Sequence, residues 1–284
     1  VEQPMEHTAG RTESGHAVGS GEPQLSVVAP VYCNQRTLRS LHQRLKEVLA
    51  QAGGYEMIFV DDASPDHSLA VLEELSREDR CVRIARLGRH RGQNRALLEG
   101  LSKVRGRRIV TLDADLQDPP EAIPWLLEGL EKGVEVVFAG RRGRYESRTR
   151  LLWSRLFKTA FHFASGRRIP IDAGLFMAMS EQASHFILDR AGHSSYLLEI
   201  LARYPGTMVS VPVVRNANPY GESSFSFSKR LVLGIGALVN LLVRSPSGRK
   251  VTKEPWTRRE VKSPPQEFET RHRHEADDLT SSGR

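Results

Sequence analysis

Short apolar runs alternate with segments of helical periodicity along the first half of the chain. Residues 25–31 are predicted to be a buried strand, and Leu and Val side chains then recur at helical spacing over residues 38–49. Further strands are predicted at residues 57–60, 82–87, 109–112 and 134–139, with a helix at 93–104. Strands that alternate with helices indicate an α/β fold, with a Rossmann-like, mostly parallel central sheet flanked by helices.

The second half of the chain is less regular. Residues 148–163 form an amphipathic stretch that we expect to be a packed helix, with contact to a membrane surface as the alternative. A late strand is predicted at residues 209–214. Residues 231–243 are almost wholly apolar but are shorter than the roughly 20 residues that span a bilayer, which predicts an interfacial or core helix.

These patterns divide the chain into four regions. Residues 1–24 are polar and rich in Gly and Ser, and we expect a disordered leader. Residues 25–230 form the main α/β domain, and residues 231–244 form the apolar helix. Residues 245–284 are charged and nearly aperiodic, which predicts a disordered tail.

Acidic pairs follow two of the predicted strands directly. Asp61 and Asp62 come after the run at 57–60, and Asp113 and Asp115 come after the run at 109–112. Since ligands collect at the carboxyl ends of parallel strands, we expect both pairs at one edge of the sheet. Carboxylates at this spacing suit Mg²⁺ or Mn²⁺, which prefer oxygen ligands and can neutralise a departing diphosphate. The alternative is that these aspartates only form turns or caps.

The segment after Asp115 is predicted to open a helix. Asp118 and Glu121 have the spacing of a capping box, and Pro119 and Pro120 between them suit a first helical turn. This interpretation gives Asp118 a structural role at a helix end.

Charge and cysteine content narrow the class of partner. The chain has 41 Lys and Arg against 34 Asp and Glu, a net charge of +7, which favours phosphate-bearing ligands or an anionic membrane surface. No nucleic-acid-binding motif accompanies the charge, so we expect no nucleic acid partner. The two cysteines, Cys33 and Cys81, provide no disulfide framework or metal-ligand spacing, which favours a reducing, cytoplasmic location.

Six short motifs in order resemble the family 2 glycosyltransferases. They are Val28-Ala29-Pro30-Val31-Tyr32, the segment from Val60 to Asp66, the segment from Asp113 to Glu121, Ala139-Gly140-Arg141-Arg142, Asp172-Ala173-Gly174 and Gly221-Glu222-Ser223. The resemblance covers roughly residues 25–233. It is greatest to the branch that includes dolichol-phosphate mannose synthase and bacterial polyprenyl-phosphate glycosyltransferases. It implies a GT-A fold with a helical acceptor-side region.

The resemblance also implies roles for individual residues. The nucleotide pocket would be lined by Pro30, Tyr32, Asn34, Val60 and Asp62. The diphosphate and the metal would be met by Asp113, Ala114 and Asp115, with Gln117 as a further metal ligand and Arg142 facing the diphosphate. Arg215 is a further predicted donor-binding residue, as the cation nearest to the Gly-x-Ser motif. Asp115 and Asp172 would be catalytic, with Asp172 on the acceptor side. The structural alternatives are a strand end for Pro30, a loop position for Gln117 and a turn cap for Asp172.

The chain departs from the family pattern at three places. Cys33-Asn34 stands where Asn-Glu is frequent, so an amide replaces an acidic nucleotide contact. His90 stands where the family often has Asn, and we interpret it as a substituted loop residue. Asn218 and Ser224 flank Gly-x-Ser where the lipid-phosphate branch has Arg and Lys, which leaves Arg215 as the nearest cation.

The predicted function is inverting transfer of a sugar from a nucleotide-diphosphate sugar, GDP- or UDP-linked, to polyprenyl phosphate. One alternative is a soluble family 2 enzyme that glycosylates a hydroxyl of a small molecule or polysaccharide. A second is a non-catalytic sugar-nucleotide-binding module. A nucleotidyltransferase is disfavoured because the chain lacks a Gly-rich phosphate loop of the expected spacing. Membrane contact, if it occurs, is expected to be peripheral.

Overall fold

Strands and helices alternate through most of the chain, as the apolar pattern predicts. The computed structural model describes residues 22–142, 157–192, 194, 196–215, 236 and 238–241. The strands are β1 (Leu25–Val31), β2 (Tyr55–Asp61), β3 (Val82–Arg86), β4 (Arg108–Thr111), β5 (Val136–Arg142), β6 (Met177–Ser180) and β7 (Met208–Val214). The helices are α1 (Leu38–Leu49), α2 (Ser68–Glu78), α3 (Gln93–Leu101), α4 (Ile123–Glu131), α5 (157–164), α6 (Glu181–Arg190) and α7 (Leu197–Leu201), with a 3₁₀ turn at Pro120–Ala122 before α4.

The strands form one sheet in the order β3-β2-β1-β4-β6-β5-β7. β1 pairs in parallel with both β2 and β4, and β5 pairs in parallel with β7. Among the described strands, β6 alone runs in the opposite direction, between β4 and β5. The strand order reverses at β1, so the carboxyl ends of β1, β2 and β4 meet at a switch point where α/β sheets bind ligands. The prediction of a mostly parallel sheet flanked by helices is confirmed.

Helices cover both faces of this sheet. Along β1, Val27, Ala29 and Val31 pack in one apolar cluster, while Val28 packs in the cluster on the other face. This alternation follows from the two-residue period of a strand. Gly100 lets α3 approach closely, because a Cβ there would lie 2.3 Å from Cγ1 of Val28.

A polar cluster lies at the amino ends of the strands, at the edge of the sheet opposite the switch point. Glu56 is buried at 4% exposure. Its Oε1 accepts hydrogen bonds from Ser26 Oγ at 2.7 Å and the Arg105 backbone N–H at 2.7 Å, and its Oε2 accepts one from Arg83 Nη1 at 2.5 Å. One carboxylate therefore ties β1, β2 and β3 to the turn that precedes β4.

A second buried pair connects α1 to the end of α2. His42 Nε2 lies 2.8 Å from Asp79 Oδ2, and both side chains are about 10% exposed. The Cys81 backbone N–H donates to Asp79 Oδ1 at 2.9 Å. Burial acts to raise the pKa of Asp79, but the hydrogen bonds from Cys81 and His42, together with nearby positive charge, outweigh it and hold the pKa below its usual value.

The outer regions are described only in part. Residues 1–21 of the predicted leader, residues 148–156 of the amphipathic stretch and the predicted tail at 245–284 lie outside the described residues. Within α5, Phe161 is buried and Phe163 is 57% exposed. Of the predicted apolar helix, residues 236 and 238–241 are described and helical, with Leu241 packed in the core. In the described part of the chain, no helix has the length and apolarity to cross a bilayer.

Candidate active site

Asp62, at the end of β2, holds the loop that leads into α3. Its carboxylate accepts hydrogen bonds from the backbone N–H groups of Arg91 and Gly92, both at 2.7 Å. His90 Nδ1 lies 2.9 Å from the same carboxylate, whose side chain is only 2% exposed. Gly92 has a φ of 90°, in the region that favours glycine, and directly precedes α3. In this arrangement, both oxygens of Asp62 fix the backbone of the loop.

Tyr32 and Asn34 lie beside this loop, at the carboxyl end of β1. The Tyr32 ring packs against the imidazole of His90 with ring centroids 4.1 Å apart and an interplanar angle of 30°. Asn34 Oδ1 accepts a hydrogen bond from the Tyr32 backbone N–H at 2.9 Å, and the Asn34 N–H donates to Ser68 Oγ at 2.9 Å. Tyr32, Asn34 and Asp62 are therefore brought together, as the sequence predicted, and the role of all three in nucleotide binding stays a prediction.

Asp61 is the last residue of β2 and stabilises the end of this strand. Its side chain is fully buried, and Oδ1 accepts a hydrogen bond from the Ser64 N–H at 3.1 Å. Oδ2 has no hydrogen-bond partner, and Arg86 Nε lies 3.6 Å away. The Asp61 backbone carbonyl accepts from the Leu87 N–H, so this residue fastens β2 to the end of β3.

Pro30 and Val60 are placed differently from the other predicted nucleotide residues. Both are buried, and they are paired in register on β1 and β2. Val60 has no exposed side-chain surface and packs in the cluster beneath α3, near Gly100. The Val60 side chain is not exposed at the carboxyl edge of the sheet. Any contact of Val60 with a nucleotide would therefore have to come from its backbone.

The Asp113-Ala114-Asp115 segment follows β4 at the switch point. Gln93 Nε2 donates to Asp113 Oδ1, and the Thr37 hydroxyl donates to the Ala114 carbonyl at 2.6 Å. Asp115 Oδ1 accepts from the Gln117 N–H at 3.0 Å in a local turn. The Asp115 side chain is 32% exposed, against 15% for Asp113. Asp115 is therefore the more accessible of the two carboxylates.

Arg215, the residue after β7, reaches into this acidic segment. Its Nη2 lies 3.2 Å from Asp113 Oδ2 and 3.8 Å from Asp115 Oδ2, and its Nε donates to Asp118 Oδ1 at 2.8 Å. Burial acts to lower the pKa of Arg215, but the charges of Asp118, Asp113 and Asp115 outweigh it and raise the pKa further. Arg215 is a fixed cation among three carboxylates.

The capping-box interpretation of Asp118 is wrong. The 3₁₀ turn begins after Pro119, and no side chain caps it. Asp118 is buried and bonds Arg215, while Glu121 forms a two-point pair with Arg44 of α1 at 2.7 and 2.6 Å. The buried carboxylate of Asp118 is instead paired with Arg215, which directly follows the edge strand β7.

Asp172 lies on the β5–β7 side of the sheet edge. A Cβ built on Gly140 would lie 2.4 Å from Asp172 Oδ2 and 2.3 Å from Ser210 Oγ, so the carboxylate packs directly against the glycine backbone of β5. The Ser210 hydroxyl is buried and has no hydrogen-bond partner. Arg142 ends β5, its side chain lies outside the described residues, and so does the Gly221-Glu222-Ser223 motif.

The chemistry of Asp113, Asp115 and Gln117 fits a hard divalent cation. The two carboxylates already converge on one positively charged group, within 3.2 and 3.8 Å of the same nitrogen. Over the described residues, no three His, Cys, Asp or Glu side chains are grouped as a ready-made metal cage. Two carboxylates and an amide would leave positions for water or phosphate oxygens, which is how Mg²⁺ is commonly bound.

Comparison with known proteins identifies the family. The model of "Glycosyl transferase family 2" matches residues 26–188, more than half of the chain. The chain belongs to glycosyl transferase family 2.

This family 2 glycosyltransferase is similar to bacterial sugar transferases along most of its length. It is 32% identical over 221 residues to the uncharacterized glycosyltransferase YkcC of Bacillus subtilis (strain 168), covering 76% of this chain and 67% of the relative. It is 34% identical over 229 residues to the undecaprenyl-phosphate 4-deoxy-4-formamido-L-arabinose transferase of Enterobacter sp. (strain 638), covering 78% and 68%. The chain spans about two thirds of the length of these curated relatives.

Solved structures confirm the fold. The mannosyltransferase PcManGT from Pyrobaculum calidifontis, in complex with GDP-Man and Mn²⁺, matches with a TM-score of 0.56 at 17% identity, over 90% of this chain and 70% of that chain. Glucosyl-3-phosphoglycerate synthase from Mycobacterium tuberculosis, in complex with Mn²⁺, UDP and glucosyl-3-phosphoglycerate, matches with a TM-score of 0.54 at 19% identity, over 84% and 86%. The predicted GT-A fold is confirmed.

Sequence reasoning missed three residues that shape the site of this family 2 glycosyltransferase. Asp118 anchors Arg215, Gln93 donates to Asp113, and His90 joins Tyr32 to Asp62. His90 was visible as a departure from the family pattern, and Gln93 as the polar first residue of a helix. Nothing in the local sequence around Asp118 signals its partner, which lies 97 residues away.

Proposed function

We propose that this protein transfers a sugar from a nucleotide-diphosphate sugar to polyprenyl phosphate, with inversion, in a reaction that needs Mg²⁺ or Mn²⁺. The observation that carries the proposal is the convergence of Asp113 and Asp115 on a single positive group at the switch point of the sheet. Family membership and the names of the undecaprenyl-phosphate transferases among the relatives support the acceptor class. Neighbouring structures that contain GDP-Man or UDP support the donor class.

The donor would lie along the carboxyl ends of β1, β2 and β4. Tyr32, Asn34 and the Asp62 loop form the wall that we assign to the nucleotide. Arg215 supplies a positive charge beside the segment that we assign to the diphosphate. Arg142 ends β5, the strand that pairs with β7, and we assign it to the diphosphate as well. With these assignments, the sugar would lie toward β5 and β7.

A divalent ion would be held by Asp113 and Asp115 with help from Gln117. When bound, it would stabilise the negative charge that grows on the leaving diphosphate. The chain's own contribution is to keep both carboxylates oriented. Gln93 holds Asp113, and the Gln117 N–H holds Asp115.

The acceptor would approach on the side of Asp172, next to Gly140. A phosphate monoester has a second pKa of about 6, so a polyprenyl phosphate is already largely ionised at neutral pH and needs no general base. Asp172 would then act through acceptor geometry and charge.

We also propose peripheral contact with an anionic membrane, where such an acceptor resides. Phe163 and Ile171 are 57% and 47% exposed, and the Arg167 guanidinium lies 5.3 Å from the Phe163 ring centroid. Apolar side chains with neighbouring cations suit a membrane surface. Co-sedimentation with anionic vesicles should fall as salt rises, and a protein that remains in the supernatant at low salt would contradict the contact.

The test of the proposed function is a panel of GDP- and UDP-sugars with Mg²⁺ or Mn²⁺, scored for nucleotide release with and without polyprenyl phosphate. We expect release that depends on both the metal and the lipid phosphate, and near-complete loss in Asp115→Asn. Asp189→Asn, the same change on the exposed face of α6, is the matched control. Full activity in EDTA would contradict the metal requirement, and transfer only to a hydroxyl would contradict the acceptor.

A further inference from the structure

The contacts of Arg215 indicate a second role for this residue, beyond the proposed binding of a diphosphate. Its guanidinium lies among the carboxylates assigned to the metal, with Nη2 within 3.2 Å of Asp113 and 3.8 Å of Asp115. The side chain is only 14% exposed. Its Nε is bonded at 2.8 Å to Asp118, which is 3% exposed and is not among the residues assigned to the metal. One end of the guanidinium is anchored, and the other end contacts the metal-binding oxygens.

Electrostatics gives a reason for this arrangement. The three carboxylates that contact the Arg215 guanidinium repel one another unless a cation lies between them, because a partly buried site screens charge poorly. A divalent ion and the Nη2 of Arg215 would need the same carboxylate oxygens of Asp113 and Asp115. The Asp118 contact uses a different nitrogen, so it does not have to be broken when the other two are exchanged.

We propose that Arg215 is a built-in counter-ion of the metal site, which a divalent cation must displace from Asp113 and Asp115 while Asp118 retains it at the site. The proposal rests on the proposed function for the assignment of the metal ligands. It makes Asp118 a positioning residue, and it couples metal binding to the release of a guanidinium. The same cation is thereby freed only when the ion that the donor needs is in place.

The first test measures Mn²⁺ affinity without any donor, by calorimetry on the full chain. Arg215→Met removes the competing charge but keeps an extended side chain, and we expect Mn²⁺ to bind about tenfold more tightly or better, the change that loss of one moderate charge contact produces. Arg215→Lys keeps a cation and should stay within about threefold of the unaltered protein. Arg203→Met is the matched control, because Arg203 is also partly buried but is paired with Glu199 on α7.

Unchanged or weaker Mn²⁺ binding by Arg215→Met would overturn the proposal. A tenfold gain in Mn²⁺ affinity in Arg215→Lys or in the Arg203→Met control would also overturn it. If Arg215→Met folds only when Mn²⁺ is present, the counter-ion role is supported. The proposed function fails separately, if the unaltered protein binds no divalent ion and transfers sugar in EDTA.

A second measurement uses the unaltered protein and therefore does not depend on the folding of a variant. The side-chain N–H signal of Arg215 Nη2 is assigned by its loss in Arg215→Lys and is followed by NMR during titration with Mg²⁺. We expect this signal to shift and saturate with Mg²⁺ while the Arg203 signal stays in place. An Arg215 signal that does not move at saturating Mg²⁺ would overturn the displacement.

Discussion

The substitution Asp62→Asn tests the structural role that this carboxylate has in the loop before α3. Asp62 accepts one backbone N–H on each oxygen, from Arg91 and Gly92, at 2.7 Å in both cases. An amide of the same shape has one acceptor and one donor. One of the two backbone N–H groups would then face the Asn NH₂ group, donor against donor, in a site where the side chain is 2% exposed.

The cost can be worked from these contacts. A hydrogen bond to a charged group contributes about 1.5–3 kcal/mol, and a buried N–H left without an acceptor costs about 1–3 kcal/mol. The surviving bond becomes a neutral one of about 1 kcal/mol, so we expect a net loss of at least about 3 kcal/mol in the free energy of unfolding. For a domain of this size, that corresponds to a fall of about 6–12 °C in Tm.

Urea unfolding of Asp62→Asn, compared with Asp189→Asn as the exposed control, measures this difference directly. A loss below about 0.5 kcal/mol, the range of ordinary surface substitutions, would refute the reasoning. Donor binding is then measured well below the melting temperature of the variant. Weaker donor binding by the folded variant would support the nucleotide-binding role that the family resemblance implies for Asp62.

Three further outcomes are expected. Glu56→Ala should lower the free energy of unfolding by about 3–5 kcal/mol in urea melts, because it leaves Ser26 and Arg83 without their buried acceptor. The activity of the folded fraction should be unchanged, because Glu56 lies at the edge of the sheet opposite the candidate site. Because the pKa of Asp79 is depressed, its stabilisation is present above the usual aspartate pKa of about 3.9 and is lost as pH falls through the lower folded value. The stability gap between the unaltered protein and Asp79→Asn should therefore shrink between pH 5 and pH 3 in urea midpoints, and a constant gap would contradict the depressed pKa. Asp172→Asn should lower kcat by less than about tenfold with polyprenyl phosphate, since a lost general base typically costs about 10²- to 10⁴-fold, and a loss of that size would favour a hydroxyl acceptor.

The parallel half of the fold could be predicted because its information is local. Each apolar run from β1 to β4 is followed within a few residues by a polar loop and a helical pattern, and the two acidic pairs stand directly at strand ends. The antiparallel strand β6 could not be predicted in this way. It has only four residues, and its place between β4 and β5 is decided by pairing with strands that are distant in sequence.

The site shows the same division. The placement of Asp62 and Asp113 at one sheet edge follows from the parallel direction of β2 and β4, which the alternation of strands and helices predicts. The burial of Val60 beneath α3 depends on which face of β2 the helix covers, and this is a property of packing. The contact between Asp118 and Arg215 joins the acidic segment to the last described strand, so it depends on the whole sheet being assembled.

The wide sequence separation within the Asp118–Arg215 pair also sets an order of events during synthesis. Asp113, Asp115 and Asp118 leave the ribosome about 100 residues before the arginine that neutralises them. Until β7 pairs with β5, a nascent chain can hold the first four strands together while its acidic ligand-binding edge lacks Arg215. Completion of the sheet and completion of the binding site are thus one event, and a chain released before residue 215 would lack both.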